Sequence, residues 1–189
     1  MIPALSVTIP AHNEARYIGR CIESVWASAH HAGLNVEVVV ALNRCTDATQ
    51  ALAESLGARC VVEERKCIAA VHNAAIRAST AQAIAPLVMG RGVSGGMFWF
   101  LRDTFESLNG FDERLVSIED LDFALRMKAL GQARGQKFGT VWRGGIKTSC
   151  RKFDTHGDWH LVINPRLLRR IFSGRDRSAA DQYYYDVDR

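Results

Sequence analysis

No run of about 18 uncharged apolar residues occurs in this 189-residue chain, so no segment reads as a membrane span. The start, Met1-Ile2-Pro3-Ala4-Leu5, leads into a strand without a basic leader, and no signal peptide is expected. The five cysteines, Cys21, Cys45, Cys60, Cys67 and Cys150, are odd in number and form no C-x-x-C pair. That argues against a disulfide scaffold and against a zinc site, and makes a reducing cytoplasm the expected setting. No G-x-G-x-x-G follows the first apolar run and no G-x-x-x-x-G-K-[ST] occurs, which disfavours an ordinary dinucleotide fold and excludes a P-loop. Internal repeats, linkers and low-complexity segments are also missing.

What is present is the material of one compact domain: 48% hydrophobic and 23% charged residues, enough to bury a core. The net charge is +4, with a basic excess after Arg134 that runs through Arg143, Lys147, Arg151, Lys152, Arg166, Arg169 and Arg170. Such a half suits phosphate groups on a nucleotide or a lipid head group. Nucleic acid is not an expected partner, because no binding motif is present and the aromatics do not interleave with the basic residues.

Leu5 to Pro10 predicts a short strand stopped by its proline, with a loop over Ala11 to Glu14. Ile18, Cys21, Ile22, Val25 and Trp26 then follow helical spacing. Val36 to Leu42 is apolar enough for a strand covered on both faces. Asn43 to Asp47 closes it, and Thr46 or Asp47 is placed to cap the next helix. Arg59 to Glu63 predicts a third strand and Ile68 to Ala78 a third helix. Three β-α units in succession predict a parallel, doubly wound sheet. Ligands of such sheets sit beyond the carboxyl ends of the strands, here the loops Pro10 to Glu14, Asn43 to Asp47 and Glu63 to Cys67.

From Thr80 to Gly90 neither alternation nor a helical face continues, and Gly92, Gly95 and Gly96 mark unusual backbone or close approach to something. Met97 to Leu101 predicts a bulky strand with Trp99 facing away from Phe98 and Phe100, and Arg102 to Leu108 a helix. After Gly110, the acids Glu119, Asp120 and Asp122 fall on the first turn of a helix running to Gly131, where they suit the positive end of its dipole. Phe138 to Trp142 and Gly145 to Thr148 look like strands, Leu161 to Phe172 like a helix interrupted at Pro165, and Ser173 onward like a loose tail.

The blocks Val7-Thr8-Ile9-Pro10-Ala11-His12-Asn13-Glu14, Ala41-Leu42-Asn43-Arg44-Cys45-Thr46-Asp47, Glu64-Arg65-Lys66-Cys67 through His72-Asn73, Gly95-Gly96-Met97-Phe98, and Gly110-Phe111-Asp112-Glu113 followed by Glu119-Asp120 resemble the inverting nucleotide-sugar glycosyltransferases of family 2. The resemblance implies an α/β GT-A fold: a Rossmann-like three-layer sandwich with a mostly parallel sheet, shortened in the middle. Residues 1–80 would form the nucleotide-binding half, 90–172 the acceptor-binding half and 173–189 a tail. It implies a nucleoside-diphosphate sugar as donor, UDP- or GDP-linked, and a saccharide or lipid-linked acceptor. Asp120 maps to the base that takes the acceptor proton, with Glu119 beside it. Pro10, His12, Asn13, Glu14, Asn43 and Asp47 would hold the nucleotide, Arg65 and Lys66 would lie toward the diphosphate, and Asn73, Gly95 and Gly96 complete the donor set.

The family also carries an Asp-x-Asp that binds Mg2+ or Mn2+ on the diphosphate, at the end of a strand after the third helix. Here Ala78-Ser79-Thr80 passes almost directly to the glycines, so that strand, its following helix and a further strand are expected to be missing. Asp186-Val187-Asp188 spells an Asp-x-Asp in the charged tail, and His156, flanked by Arg151 and Lys152, is the residue set toward a metal. A catalytically impaired nucleotide-binding or assembly module is therefore the alternative to an enzyme. An edge left by a missing strand would favour self-association. The basic half would suit peripheral contact with the inner membrane face.

Overall fold

The computed structural model describes residues 2–88, 96–139 and 163–181. In chain order the elements are β1 (Leu5–Ala11), α1 (Ile18–Ala32), β2 (Val36–Leu42), α2 (Thr49–Ser55), β3 (Arg59–Val62), α3 (Ile68–Ala78), β4 (Ala83–Val88), β5 (Gly96–Met97), β6 (Phe100–Leu101), α4 (Arg102–Ser107), α5 (Glu119–Ala133), α6 (Pro165–Phe172) and α7 (Arg177–Ala180). The sheet order is β3-β2-β1-β4-β5, with β6 also on β4. The pairs β1/β2, β1/β4 and β2/β3 are parallel, and β5 and β6 run antiparallel to β4.

The alternation of side chains along β1 and β2 builds three layers. Val7 and Ile9 with Val38, Val40 and Leu42 pack against Ile18 and Ile22 of α1 and Ala53 of α2. The opposite face of β2, Val39 and Ala41, packs against Val71 and Ala75 of α3. A second core joins α3, β4, β6, α4 and α5 through Ile76, Ile84, Phe100, Phe105, Phe111 and Phe123. Phe98 belongs to it as well, while Trp99 is 59% exposed, as the alternation predicts.

The structure corrects the expected outline in several places. β4 occupies Ala83–Val88, where the sequence shows no pattern, and it takes the side of β1 that a missing strand would have left open. Ile84 and Ala85 are both fully buried, so two-sided burial removed the alternation by which a strand is recognised. β1 runs one residue past Pro10; its pairing with β4 ends at Thr8, so the proline extends a stretch paired to β2 alone. The expected strand Met97–Leu101 is split into β5 and β6 around Phe98 and Trp99. The interruption expected at Pro165 falls directly before it: Ile163 is helical, Asn164 is not, and Pro165 opens α6, since the first helical turn needs no proline N–H. Residues 173–181 are no loose tail: Asp176 caps α7 by accepting from Ala179 N–H, and Ala179 packs on Ile171. Phe138 and Gly139 form no strand, and the rest of the two strands expected after α5 lies outside the described residues. Among the described residues no helix is long and apolar enough to cross a membrane.

At the amino ends of the parallel strands one carboxylate on β2 ties that strand to the other three. Glu37 of β2 accepts from the Ser6 hydroxyl of β1 at 2.5 Å, from Thr80 and Ala81 at the entry to β4, and pairs with Arg59 of β3 at 3.1 Å. Partial burial by itself would raise its pKa, but the hydrogen bonds from Ser6, Thr80 and Ala81 outweigh it and bring the group down to about 2 from 4.5. A depressed carboxylate stabilises the fold above its unfolded pKa and loses that contribution as pH falls through its folded one. Glu37→Gln is expected to lower stability by about 1–3 kcal/mol at pH 7 and to converge with the unmodified protein below about pH 2. Urea titrations at a series of pH values check this, and a difference independent of pH would contradict it.

Candidate active site

The carboxyl ends of β1 and β2 carry two loops that hold each other through polar side chains. Asn13 and Arg44 both adopt left-handed backbone, φ 52° and 51°. Asn13 Oδ1 accepts from Thr46 N–H at 2.8 Å, and His12 Nδ1 donates to the Asn43 carbonyl at 2.5 Å. Glu14, buried, donates its N–H to Thr49 Oγ1 at 2.8 Å. Asp47 Oδ2 takes Ala15 N–H at 3.0 Å, and its Oδ1 takes the N–H and hydroxyl of Thr49 at 3.0 and 2.5 Å. Desolvation works against ionisation of Asp47, yet these hydrogen bonds hold it below the usual carboxylate range. Asp47 thus braces the first turn of α2 from just outside it, Ala48 being the N-cap position itself.

Asn43 carries the connection to the third loop. Its Nδ2, buried, donates to the carbonyls of Glu63 at 2.5 Å and Arg65 at 2.8 Å. Glu63 in turn takes three bonds from Arg65, from the backbone N–H, Nε and a terminal nitrogen, at 2.7 to 2.9 Å. The other terminal nitrogen of Arg65 reaches Glu113 at 2.6 Å. Lys66 Nζ lies 3.2 Å from Asp181, and Arg177 donates to the Lys66 carbonyl. Both cations expected toward a diphosphate are therefore held by carboxylates. The C-terminal segment, read from sequence as a tail, supplies one of those carboxylates.

The turn after α4 is held from two directions. Asn73 of α3 is 1% exposed; it donates Nδ2 to the Phe111 carbonyl and accepts the Phe111 N–H on Oδ1, both at 2.9 Å. The same Nδ2 donates to Glu113 Oε1 at 2.9 Å. Asn73's amide first, then Arg65 and Arg77, keep Glu113 ionised below its ordinary range against the opposing effect of burial. From α5, Arg126 donates to the carbonyls of Leu108 and Gly110 at 2.9 and 3.0 Å and pairs with Asp122 at 2.7 Å. Asp122 is thus paired within α5 and does not cap the helix.

Glu119 and Asp120 open α5 and are both 7% exposed. Asp120 Oδ1 accepts Leu121 N–H at 2.7 Å, and the pair sits where the helix dipole favours negative charge. The residue before them, Ile118, has φ 58°, which is costly for a β-branched side chain. The C-terminal segment holds it there. Ser117 Oγ donates to the Ile171 carbonyl at 2.7 Å and Val116 N–H to the Gly174 carbonyl at 2.9 Å. Gly174, φ 70°, passes so close that a Cβ would stand 2.9 Å from Leu115 and 3.1 Å from Ile118.

Of the residues singled out in the sequence, Pro10, His12, Asn13, Glu14, Asn43, Asp47, Arg65, Lys66, Asn73, Glu119 and Asp120 fall on the carboxyl side of the sheet or on segments bonded to it. Gly96 begins β5 opposite Val88. Gly95, His156, Asp186 and Asp188 lie outside the described residues. Asp120-Leu121-Asp122 also has Asp-x-Asp spacing, but Asp122 is taken up by Arg126. Among the described residues no group of three His, Cys, Asp or Glu side chains is placed to hold a metal. The sequence from the end of β4, Leu87-Val88-Met89-Gly90, contains no carboxylate. Sequence reading missed Glu113, Arg126 and Asp181. Glu113 stood inside the quoted Gly-Phe-Asp-Glu block and could have been found by its pairing potential with Arg65; the other two carried no local signal.

Residues 6–87 match the family described as glycosyl transferase family 2. No protein of curated function matches the chain. Among solved structures, the mannosyltransferase PcManGT from Pyrobaculum calidifontis, in complex with GDP-Man and Mn2+, superposes with a TM-score of 0.55 at 17% identity, over 69% of this chain and 53% of that one. Staphylococcus aureus TarS superposes with a TM-score of 0.54 at 17% identity, over 67% of this chain and 33% of that one. The chain thus spans about half the length of the first and a third of the second. These likenesses show the fold.

Gly110 is the most constrained point of the site. At φ 73° its Cβ would stand 2.7 Å from Asn73 Oδ1 and 3.0 Å from Phe105. Gly110→Ala is expected to cost about 2–4 kcal/mol, adding backbone strain to a displaced buried amide. A urea denaturation curve measures it; a loss under about 0.5 kcal/mol, as at an ordinary surface position, would show that the turn relaxes freely.

Proposed function

This chain matches glycosyl transferase family 2 over residues 6–87 and carries that match on a GT-A frame, and from that premise we propose that it transfers a sugar, with inversion, from a nucleoside-diphosphate sugar to an acceptor hydroxyl. The observation that carries the proposal is the bonding of the segment leading into Glu119 and Asp120 to the loop that Asn43 holds, through Arg65 and Glu113. The donor-side loops and the segment that leads to the buried acid pair are thereby joined by polar contacts. Direct displacement at the anomeric carbon needs a group to take the acceptor proton and a frame to orient the leaving diphosphate. Asp120 is assigned the first task and Glu119 the orientation of the acceptor. Asn13, Glu14 and Asn43 line the base and ribose side, with His12 and Asp47 bracing their loops. Arg65 and Lys66 are the cations of the diphosphate side, each shared with a carboxylate.

Mn2+ accompanies the donor in the mannosyltransferase structure. The described residues of this chain do not compose a site for it. On the same reading the acceptor hydroxyl belongs to a saccharide or to a lipid-linked molecule at a membrane face. The acid-free exit from β4 and the pairing of Arg65 with two carboxylates favour a second reading, a nucleotide-binding or assembly module that does not catalyse transfer.

Thermal unfolding with GDP, UDP or neither, each with and without Mn2+, tests the binding premise: a ligand at 100 times its dissociation constant adds about 2.7 kcal/mol. No shift with any nucleotide in either condition would favour an assembly module. Asp120→Asn is expected to abolish transfer and to leave nucleotide affinity within about twofold, because the base acts on the acceptor in the transition state. Full transfer by that variant would remove Asp120 from the role.

A further inference from the structure

The clamp on Phe111 reaches further than the turn it closes. Asn73 reads both backbone groups of Phe111 and shares its amide with Glu113. The Phe111 ring, held by that backbone, stacks on Phe123 with centroids 4.3 Å apart and planes at 21°. Phe123 is fully buried and lies one helical turn beyond Asp120 on α5, so the two share a face. On its other side Phe111 stacks on His72 at 5.0 Å. Neither His72 nitrogen has a hydrogen-bond partner among the described residues, and burial pushes its pKa down to about 4, so the ring is a neutral packing surface. Phe111 is therefore wedged between α3 and α5, and both of its backbone groups are held by one side-chain amide.

We infer that Asn73 is the positioning residue that sets where Asp120 stands relative to the donor loops, acting through the Phe111 backbone and the Phe111–Phe123 stack. The inference rests on the assignment of Asp120 as base and adds a residue that touches neither substrate. Truncating Asn73 leaves the Phe111 N–H and carbonyl unpaired in the core and frees the ring to shift. A displacement of about 1 Å at a catalytic group lowers turnover by up to about 100-fold. Asn73→Asp keeps the acceptor for Phe111 N–H but sets a second carboxylate against Glu113. Adding Glu113→Gln removes one of those charges and supplies an amide donor opposite the introduced carboxylate.

The test uses the full chain and compares Asn73→Ala, Asn73→Asp and the double variant Asn73→Asp with Glu113→Gln against the unmodified protein. It reads GDP and UDP affinity by calorimetry, kcat and KM for transfer, and amide exchange at Phe111 by NMR. Expected are nucleotide affinity and donor KM within about twofold, kcat lower by about 10- to 100-fold, and faster exchange at Phe111 in the two single variants. The double variant is expected to recover at least part of the kcat that Asn73→Asp loses. In Asn73→Asp the loss is expected to shrink as pH falls toward about 5, since protonation removes one of the two facing charges. Unchanged kcat in Asn73→Ala overturns the inference, and so does an equal fall in nucleotide affinity and kcat, which marks a general loss of structure. Should Asn73→Ala fail to fold, the double variant decides: no recovery over Asn73→Asp counts against the clamp. If the unmodified chain transfers no sugar, the proposed function fails and takes the inference with it; if it transfers and Asn73→Ala equals it, only the inference fails.

Discussion

Two hydrogen bonds between the Asn73 side chain and the two backbone groups of Phe111 fasten α3 to the turn that leads toward α5. An amide side chain is suited to this, since it offers a donor and an acceptor side by side, as a neighbouring strand would. In the core such a pair is costly to break, because each backbone group left behind has no water to turn to. Gly110 is required by the same contact, as any Cβ would meet the Asn73 oxygen. Arg126 closes the turn from the other side and returns to Asp122, so an ion pair on α5 also serves the turn.

Around that point the polar residues form a continuous series. Asn43 holds the backbone of the β3–α3 loop; Arg65 of that loop joins Glu63 to Glu113; Glu113 returns to Asn73. Charges at the exposed part of this series contribute little to stability, Arg65 being 57% exposed on its side chain. Their consequence is geometric: each fixes a loop against its neighbour. The buried members, Asn43 and Asn73, are the ones whose loss changes the frame.

Strain gathers in the same region. Asn13 and Arg44 turn left-handed in the loops after β1 and β2, and Ile118 does so directly before the acid pair. Asparagine tolerates that conformation and isoleucine does not, so Ile118 depends on its surroundings. Those surroundings are α6, Gly174 and the backbone of the last described segment, which grip the 115–118 loop. The C-terminal segment is thereby part of the acid pair's support.

Local chemistry was sufficient for much of the first half. The period-3.6 apolar positions of α1, the uniformly apolar β2 and the polar loops after each strand were legible because each depends on residues a few positions apart. The same holds for the acids in the first turn of α5. β4 was not legible, since burial on both faces erases alternation and Pro86 argues against a strand on its own. The pairings of Arg65 with Glu113, of Lys66 with Asp181 and of Asn73 with Phe111 join residues far apart in the chain, 48 positions in the first case and 38 in the last. Such separations place each partner beyond the reach of any local periodicity. Sequence alone determined which side chains could do chemistry and which strand ends would present them. Which of those side chains are committed to holding the frame, and which face the site, was decided by the fold, because only packing brings a buried amide to a backbone it must satisfy.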